Sequence, residues 1–206
     1  FERVARRAAA VAVDTERLVT IGVEPSRPAT GYGYVEPTEG NAEGDDDDWS
    51  PVTSFHEKPD AERAETYLDR GYYWNAGIFA WTPTAFLDAA SETPLASLVE
   101  ALDRGEAVAG FDAVDPVSVD YAVLERTENL AVVPATVEWD DLGAWDAVAR
   151  HLPTDDSGNA IMGEALAIDA TDNVVATDGH VSLVGVEGLV VASFDDRTVV
   201  LPADEA

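Results

Sequence analysis

The chain has 206 residues, 46% of them hydrophobic and 26% charged, with 41 acids against 12 bases and a formal net charge of −29. That length makes one ordinary domain, or one with a small appendage, able to bury about 70% of the surface its unfolded form exposes. The negative charge repels nucleic acid and anionic lipid, no apolar run nears the roughly 18 residues of a membrane span, and the absence of cysteine excludes disulfides, thiolate catalysis and Cys-ligated zinc.

Lys58 is the only lysine; arginine supplies every other fixed positive side chain. An acid excess spread along the whole sequence, with almost no lysine, suggests a cytoplasm of high salt, where concentrated cations screen self-repulsion. The first residues, FERVARRAAAVAV, are too charged and too short for a signal peptide or anchor, and read as a helix cut into by the start of a fragment. A cytoplasmic setting is expected.

In chain order, RLVTIGVEP (17–25) has the β-branched, apolar look of a buried strand ended by Pro25, and SRPATG turns the chain. GYGYVEP (31–37) is a second strand whose glycines leave room for close approach to the backbone. The segment TEGNAEGDDDDWS (38–50) has no periodicity. Its four contiguous aspartates lack the alternate spacing of a calcium loop and read as a solvated surface loop. The stretch SFHEKPD leads into a helix over 60–70, with Asp60 as N-cap, Ala61, Ala64 and Leu68 on one face, and Gly71 past its end.

YYWNAGIFAW (72–81) reads as a strand apolar on both faces, as in the middle of a doubly covered sheet. Thr82 and Pro83 open a helix through about Ala90, and Leu95, Leu98, Val99 and Leu102 repeat at helical spacing up to Gly105. SVDYAVLERTE is a short helix behind Ser118, LAVVPA a strand, and AWDAVARHL a helix after the WDDLG turn. Strands alternating with helices predict an α/β layered domain over residues 1–153. The remainder, 154–206, breaks into apolar runs of four to six residues separated by DATDN, TDGH, VEG and DDR, and is expected to be all β, packing on the first domain or continuing beyond Ala206.

There is no P-loop, because the only lysine follows Glu57, and no G-x-S-x-G elbow. His56, His151 and His180 are far apart, without metal-ligand spacing, and read as isolated polar side chains. Asn75 stands in an apolar strand, where an unpaired amide would cost about 1–3 kcal/mol, so it needs a partner: neighbouring backbone or a ligand hydroxyl. Glu57 and Lys58, adjacent on a strand ended by Pro59, should point to opposite faces and cannot simply be a local ion pair. Lys58 is either a surface charge or salt-bridge partner, or a ligand contact at a strand end, where open α/β sheets bind ligands. Asp141 precedes a helix, either as a cap or as the single carboxylate that Mg²⁺ often takes from a protein.

Together VTIGVEPSRPATGYGYVE, FHEKPD, YYWNAGIFAW, SVDYAVLE, VEWDDLGAWDAV and GNAIMGEALAID run in the order found in the sugar-phosphate nucleotidyltransferases and cover nearly the whole chain. The resemblance is strongest to the mannose-1-phosphate guanylyltransferase branch. It implies the C-terminal part of a Rossmann-like nucleotidyltransferase sheet, followed by the beginning of a β-helix-like domain. It also implies that Lys58 neutralises the phosphate of the sugar phosphate, that Glu57 and Asn75 hold sugar hydroxyls, and that the Gly31 and Gly33 backbone closes over the sugar. Asp141 matches the Mg²⁺ ligand. The implied substrates are GTP and mannose 1-phosphate, the products GDP-mannose and pyrophosphate.

The family's glycine-rich nucleotide loop and earlier metal-binding aspartate have no counterpart here, so the chain alone is expected to be inactive or very weak. His56 replaces the usual apolar residue before EKP, and Ala76 stands where the family often has Ser. A pyrophosphorylase for another sugar nucleotide and a non-catalytic regulatory paralogue are the competing readings. Oligomeric state stays open, homo-oligomers included.

Overall fold

The computed structural model describes residues 1–38, 49–137, 139–141 and 145–203. The acidic loop expected over 38–50 lies mostly outside the described residues. Two compact units are present, Phe1–Trp139 and Asp140–Ala206.

In the first unit, helix α1 (Glu2–Thr15) leads into strand β1 (Leu18–Val23), followed by β2 (Tyr34–Pro37), β3 (Ser50–His56), α2 (Ala61–Asp69) and β4 (Tyr73–Ala80). Helices α3 (Pro83–Ser91), α4 (Ala96–Asp103) and α5 (Ala107–Asp112), a π-helical turn at Asp120–Leu124, and β5 (Leu130–Ala135) complete it. Strand pairing runs β1–β4–β2–β3–β5, and β5 returns to β1 as its parallel neighbour, so the pairings close into a ring. The expected α/β mixture is present.

The central strands are buried on both faces, as their unbroken apolar sequence requires. Val19, Ile21 and Val23 of β1 join Ala131, Val133 and Ala135 of β5 against Ala8, Val11 and Ala12 of α1. On the other face Leu18, Leu130 and Val132 pack with Ala85, Ala90 and the turn residues Ala122, Val123 and Leu124. A third cluster is aromatic: Tyr34, Tyr67, Tyr72 and Trp74 close around Ala64 of α2.

Local signals in the sequence act as expected at several helix ends. Asp60 accepts from the Arg63 N–H at 2.9 Å and Thr82 from the Ala85 N–H at 3.2 Å, each supplying a partner that the first helical turn lacks. The buried face of α2, however, is Ala64 and Tyr67, while Ala61 is exposed. Helix α5 was not anticipated: Ala107–Asp112 is only six residues long and too short to show a period.

Strand β4 also departs from a uniformly covered strand. Trp74, Asn75 and Ala76 are buried, but Gly77 and Ile78 are exposed. Its register against β1 shifts between Thr20 paired with Phe79 and Gly22 paired with Asn75, which places two extra residues on β4. Gly77 sits in that bulge at φ 68°, a backbone conformation in which a side chain is strained.

The second unit contains helix α6 (Trp145–His151) and strands β6 (Ala160–Ile168), β7 (Val174–Val184), β8 (Leu189–Phe194) and β9 (Arg197–Pro202) in one sheet of that order. The first three strands are parallel and the last is antiparallel. Asn159 and Asn173, each 1% exposed, set the register: Asn159 Oδ1 accepts from the backbone and side-chain N–H of Asn173 at 3.1 and 2.8 Å, and Asn173 Oδ1 accepts from the Leu189 N–H at 3.0 Å. The stretch TDGH, expected to turn, lies inside the eleven-residue β7. Thr177 Oγ1 accepts from the Gly179 N–H there at 3.0 Å, and the neighbouring register shifts between Met162 and Glu164, so the turn residues bend a strand without ending it. Among the described residues no helix is long and apolar enough to cross a membrane.

Candidate functional site

The loop between β1 and β2 is anchored by Arg27. Its guanidinium lies 5.4 Å from the Tyr32 ring centre and 5.1 Å from that of Trp74, and its Nη2 donates to the Tyr32 hydroxyl at 3.0 Å. Tyr32 meets Trp74 and Trp139 edge-on at 5.0 and 5.2 Å. With the loop held, its carbonyls meet two other segments: Tyr32 O accepts from the Lys58 N–H at 3.2 Å, and Gly33 O accepts from the Asn75 N–H at 2.8 Å.

Gly33 is where these segments come closest. A Cβ there would stand 2.6 Å from Glu57 Oε2, 3.0 Å from Phe55 Cζ and 3.3 Å from Asn75 Cβ, so a side chain would push the Glu57 carboxylate out of its place and crowd Phe55. Gly31, exposed in the same loop, would have nothing within 4 Å of its Cβ. The Glu57 carboxylate therefore keeps its position only with a residue as small as glycine at 33, whereas 31 carries no such constraint.

Strand β3 ends at His56, so Glu57 and Lys58 lie beyond the ladder, and the expectation that they alternate across a strand is corrected. Lys58 has φ 48°, a left-handed conformation disfavoured for a residue with a side chain and again disfavoured before proline. Such backbone persists only where its surroundings over-determine it, and it clusters at functional sites. The Lys58 side chain is exposed and Glu57 half-buried.

Burial pushes the Glu57 carboxyl up to about 7. The nearby Asp120 charge raises it too, Lys58 opposes, and Glu125 adds a smaller upward push. Glu125 Oε1 also accepts from the Glu57 N–H at 2.8 Å. His56 does not enter this group; its ring stacks on Tyr67 at 4.9 Å, and Tyr67 on Tyr72 at 4.7 Å.

Asn75 is 8% exposed. Its Oδ1 accepts from Thr20 Oγ1 at 2.7 Å and from the Gly77 N–H at 3.1 Å, and its Nδ2 donates to Asp120 Oδ1 at 3.2 Å. The amide thus braces the β4 bulge and is turned with its carbonyl inward.

Gly33, Glu57, Lys58 and Asn75 therefore come together. Asp141 belongs to the second unit, where it is exposed. Asp140 beside it has a side chain 7% exposed, paired with the Arg150 fork at 2.7 and 3.0 Å and 3.4 Å from His151 Nε2. The helix-cap expectation for Asp141 falls on residues 142–144, outside the described residues. His180 pairs with Glu164 at 3.3 Å and Ser182 at 3.2 Å, and among the described residues no group of three or more His, Asp or Glu side chains is arranged to hold a metal.

Thr20, Asp120 and Glu125 were not anticipated. They stand 55, 45 and 68 residues from the site residues they bond, beyond any local spacing rule. A threonine inside the apolar run LVTIGV was the one available signal, since a buried hydroxyl needs a partner.

Residues 1–157 match the family model described as nucleotidyl transferase. The mannose-1-phosphate guanylyltransferase of Sinorhizobium fredii (strain NBRC 101917 / NGR234) is 34% identical over 97% of this chain and 41% of its own length. That of Klebsiella pneumoniae is 34% identical over 91% and 42%. A crystal structure titled as mannose-1-phosphate geranyltransferase from Thermus thermophilus superposes with a TM-score of 0.81 at 33% identity, covering 99% of this chain and 62% of that one. The chain spans about two-fifths of the length of these curated relatives. It belongs to the nucleotidyl transferase family.

Proposed function

We propose that this chain carries the sugar-phosphate side of a site that makes GDP-mannose and pyrophosphate from GTP and mannose 1-phosphate. A phosphate oxygen of the sugar phosphate attacks the α-phosphorus of GTP, the bond to the β-phosphate oxygen breaks, and pyrophosphate leaves. The observation that carries this reading is the meeting of Gly33, Glu57 and Asn75, beside the only lysine of the chain on a strained backbone.

Lys58 would bind the phosphate as a cation amid excess negative charge, and Glu57 and Asn75 would hold hydroxyls above the Gly33 backbone. The chemistry is mainly positioning and charge neutralisation. Asp141 would hold Mg²⁺: one exposed carboxylate suits an ion that takes one or two protein carboxylates and completes its shell with phosphate and water. Bound there, the ion would neutralise phosphate charge.

The test is pyrophosphate release by the intact protein in molar KCl, comparing GTP, UTP and dTTP with mannose 1-phosphate and glucose 1-phosphate, with and without Mg²⁺. The proposal expects the GTP and mannose 1-phosphate pair to have the highest kcat/KM. A preference for another pair makes it a pyrophosphorylase of a different sugar nucleotide, and no release with any pair supports a non-catalytic binding protein.

A further inference from the structure

Asp120 is the first residue of the π-helical turn, a rare element that recurs at functional sites. The turn is anchored in the core: Ala122, Val123 and Leu124 are each 2% exposed or less. From this base Asp120 Oδ1 accepts the Asn75 amide hydrogen at 3.2 Å, and its charge acts on Glu57.

The hydrogen bonds of Asn75 decide what that amide can offer. Its oxygen already accepts from Thr20 and Gly77. Of its two amide hydrogens, Asp120 takes one. The other is what remains for a ligand. A carboxylate only accepts, so Asp120 cannot tolerate the flipped amide, which would put oxygen against oxygen; Thr20 and Gly77 enforce the same orientation from the other side.

We propose that Asp120 is a positioning residue of the sugar site, fixing Asn75 as a hydrogen-bond donor to a sugar hydroxyl oxygen. The site then presents a fixed donor and a carboxyl acceptor to the sugar. The proposal rests on the sugar-phosphate reading of this site.

Kinetics of the intact protein and two variants test it. Asp120→Ala removes the acceptor that holds the donor side of the amide, leaving Thr20 and Gly77 alone to orient it, and should raise KM for the sugar 1-phosphate by about tenfold, leaving KM for the nucleotide within about twofold. Asp120→Asn can still accept from Asn75 through its own oxygen but removes the charge, so its effect should appear in the pH profile. Glu57 is faced by Asp120, Lys58 and Glu125. In the wild type, KM for the sugar phosphate should fall as pH rises through about 7, where Glu57 ionises. In Asp120→Asn that inflection moves to lower pH, because a negative neighbour is gone. The ionisation of the substrate's own phosphate is common to both proteins.

A sugar-phosphate KM unchanged in Asp120→Ala, or an Asp120→Asn profile superimposed on the wild type, overturns the proposal. So does a rise of both substrates' KM together with a lowered Tm, which marks a structural role alone. Wild-type turnover with an Asp120-insensitive KM sinks this inference and leaves the proposed function standing; absence of wild-type turnover with every sugar phosphate sinks both.

Discussion

The Asn75 amide donates to Asp120 Oδ1 across 3.2 Å, tying a bulged strand to a π-helical turn 45 residues later in the chain. Around this bond the loop glycine Gly33, Glu57 and Lys58 gather, although only Glu57 and Lys58 are neighbours in sequence. The bond also answers which partner Asn75 has: within the protein it uses backbone, a hydroxyl and a carboxylate together.

Replacing Lys58 by Gln should raise KM for the sugar phosphate by about tenfold to a hundredfold, the worth of a charge-assisted hydrogen bond, and should lower turnover. Because Lys58 is exposed, Tm should change little. Steady-state kinetics together with a melting curve check both; unchanged kinetics would make Lys58 a surface charge only.

Gly33→Ala should weaken sugar-phosphate binding and cost about 1 kcal/mol of stability, as its Cβ pushes the Glu57 carboxylate aside and crowds Phe55. Gly31→Ala meets no atom within 4 Å and should fold as well as the parent. Urea unfolding of the pair measures the contrast, and equal stability of the two variants would refute the packing argument.

The Glu57 carboxyl is raised from 4.5 to about 7 in the fold. Between those values the folded protein binds a proton that the unfolded chain has released, so the Glu57 contribution to stability is fully present below about 4.5 and is lost as pH rises through about 7. Glu57→Gln stays neutral and should lack this loss. Melting temperatures of both proteins from pH 5 to 8 should diverge upward, with the variant higher at pH 8. Parallel curves would show that Glu57 ionises normally. Glu36 and Asp155, held low by hydrogen bonds from Ser54 and Asn159, act in the opposite direction and at lower pH, common to both proteins.

The adjacent acids Asp140 and Asp141 should separate cleanly. Asp140→Asn breaks the pair with Arg150 and should cost about 1–3 kcal/mol. Asp141→Asn should raise the Mg²⁺ concentration needed for half-maximal turnover. Mg²⁺ titrations and thermal melts of each variant test this; loss of stability alone in Asp141→Asn would assign it a structural role.

Much of the fold was legible. The apolar runs of β1 and β5, the caps Asp60 and Thr82, the stop at Gly105 and the β character beyond residue 153 all follow from side-chain period and backbone preference, which act within a few residues. Where the reading failed, a distant partner had overruled a local signal. TDGH looked like a turn but is held in β7 by the strands beside it, and Glu57–Lys58 looked like strand but lies past the last ladder bond.

By itself, the sequence determined most of the order of elements and the residue chemistry available within these 206 residues, because these depend on residue type and short spacing. It also singled out Lys58, Glu57 and Asn75. Only the tertiary structure decided which of these meet, that a side chain at 33 would displace the Glu57 carboxylate, and that Thr20 and Asp120 hold the Asn75 amide. Those contacts join residues tens of positions apart, and a buried polar group takes its partner from whatever packing brings within about 3 Å, a distance that no local pattern encodes.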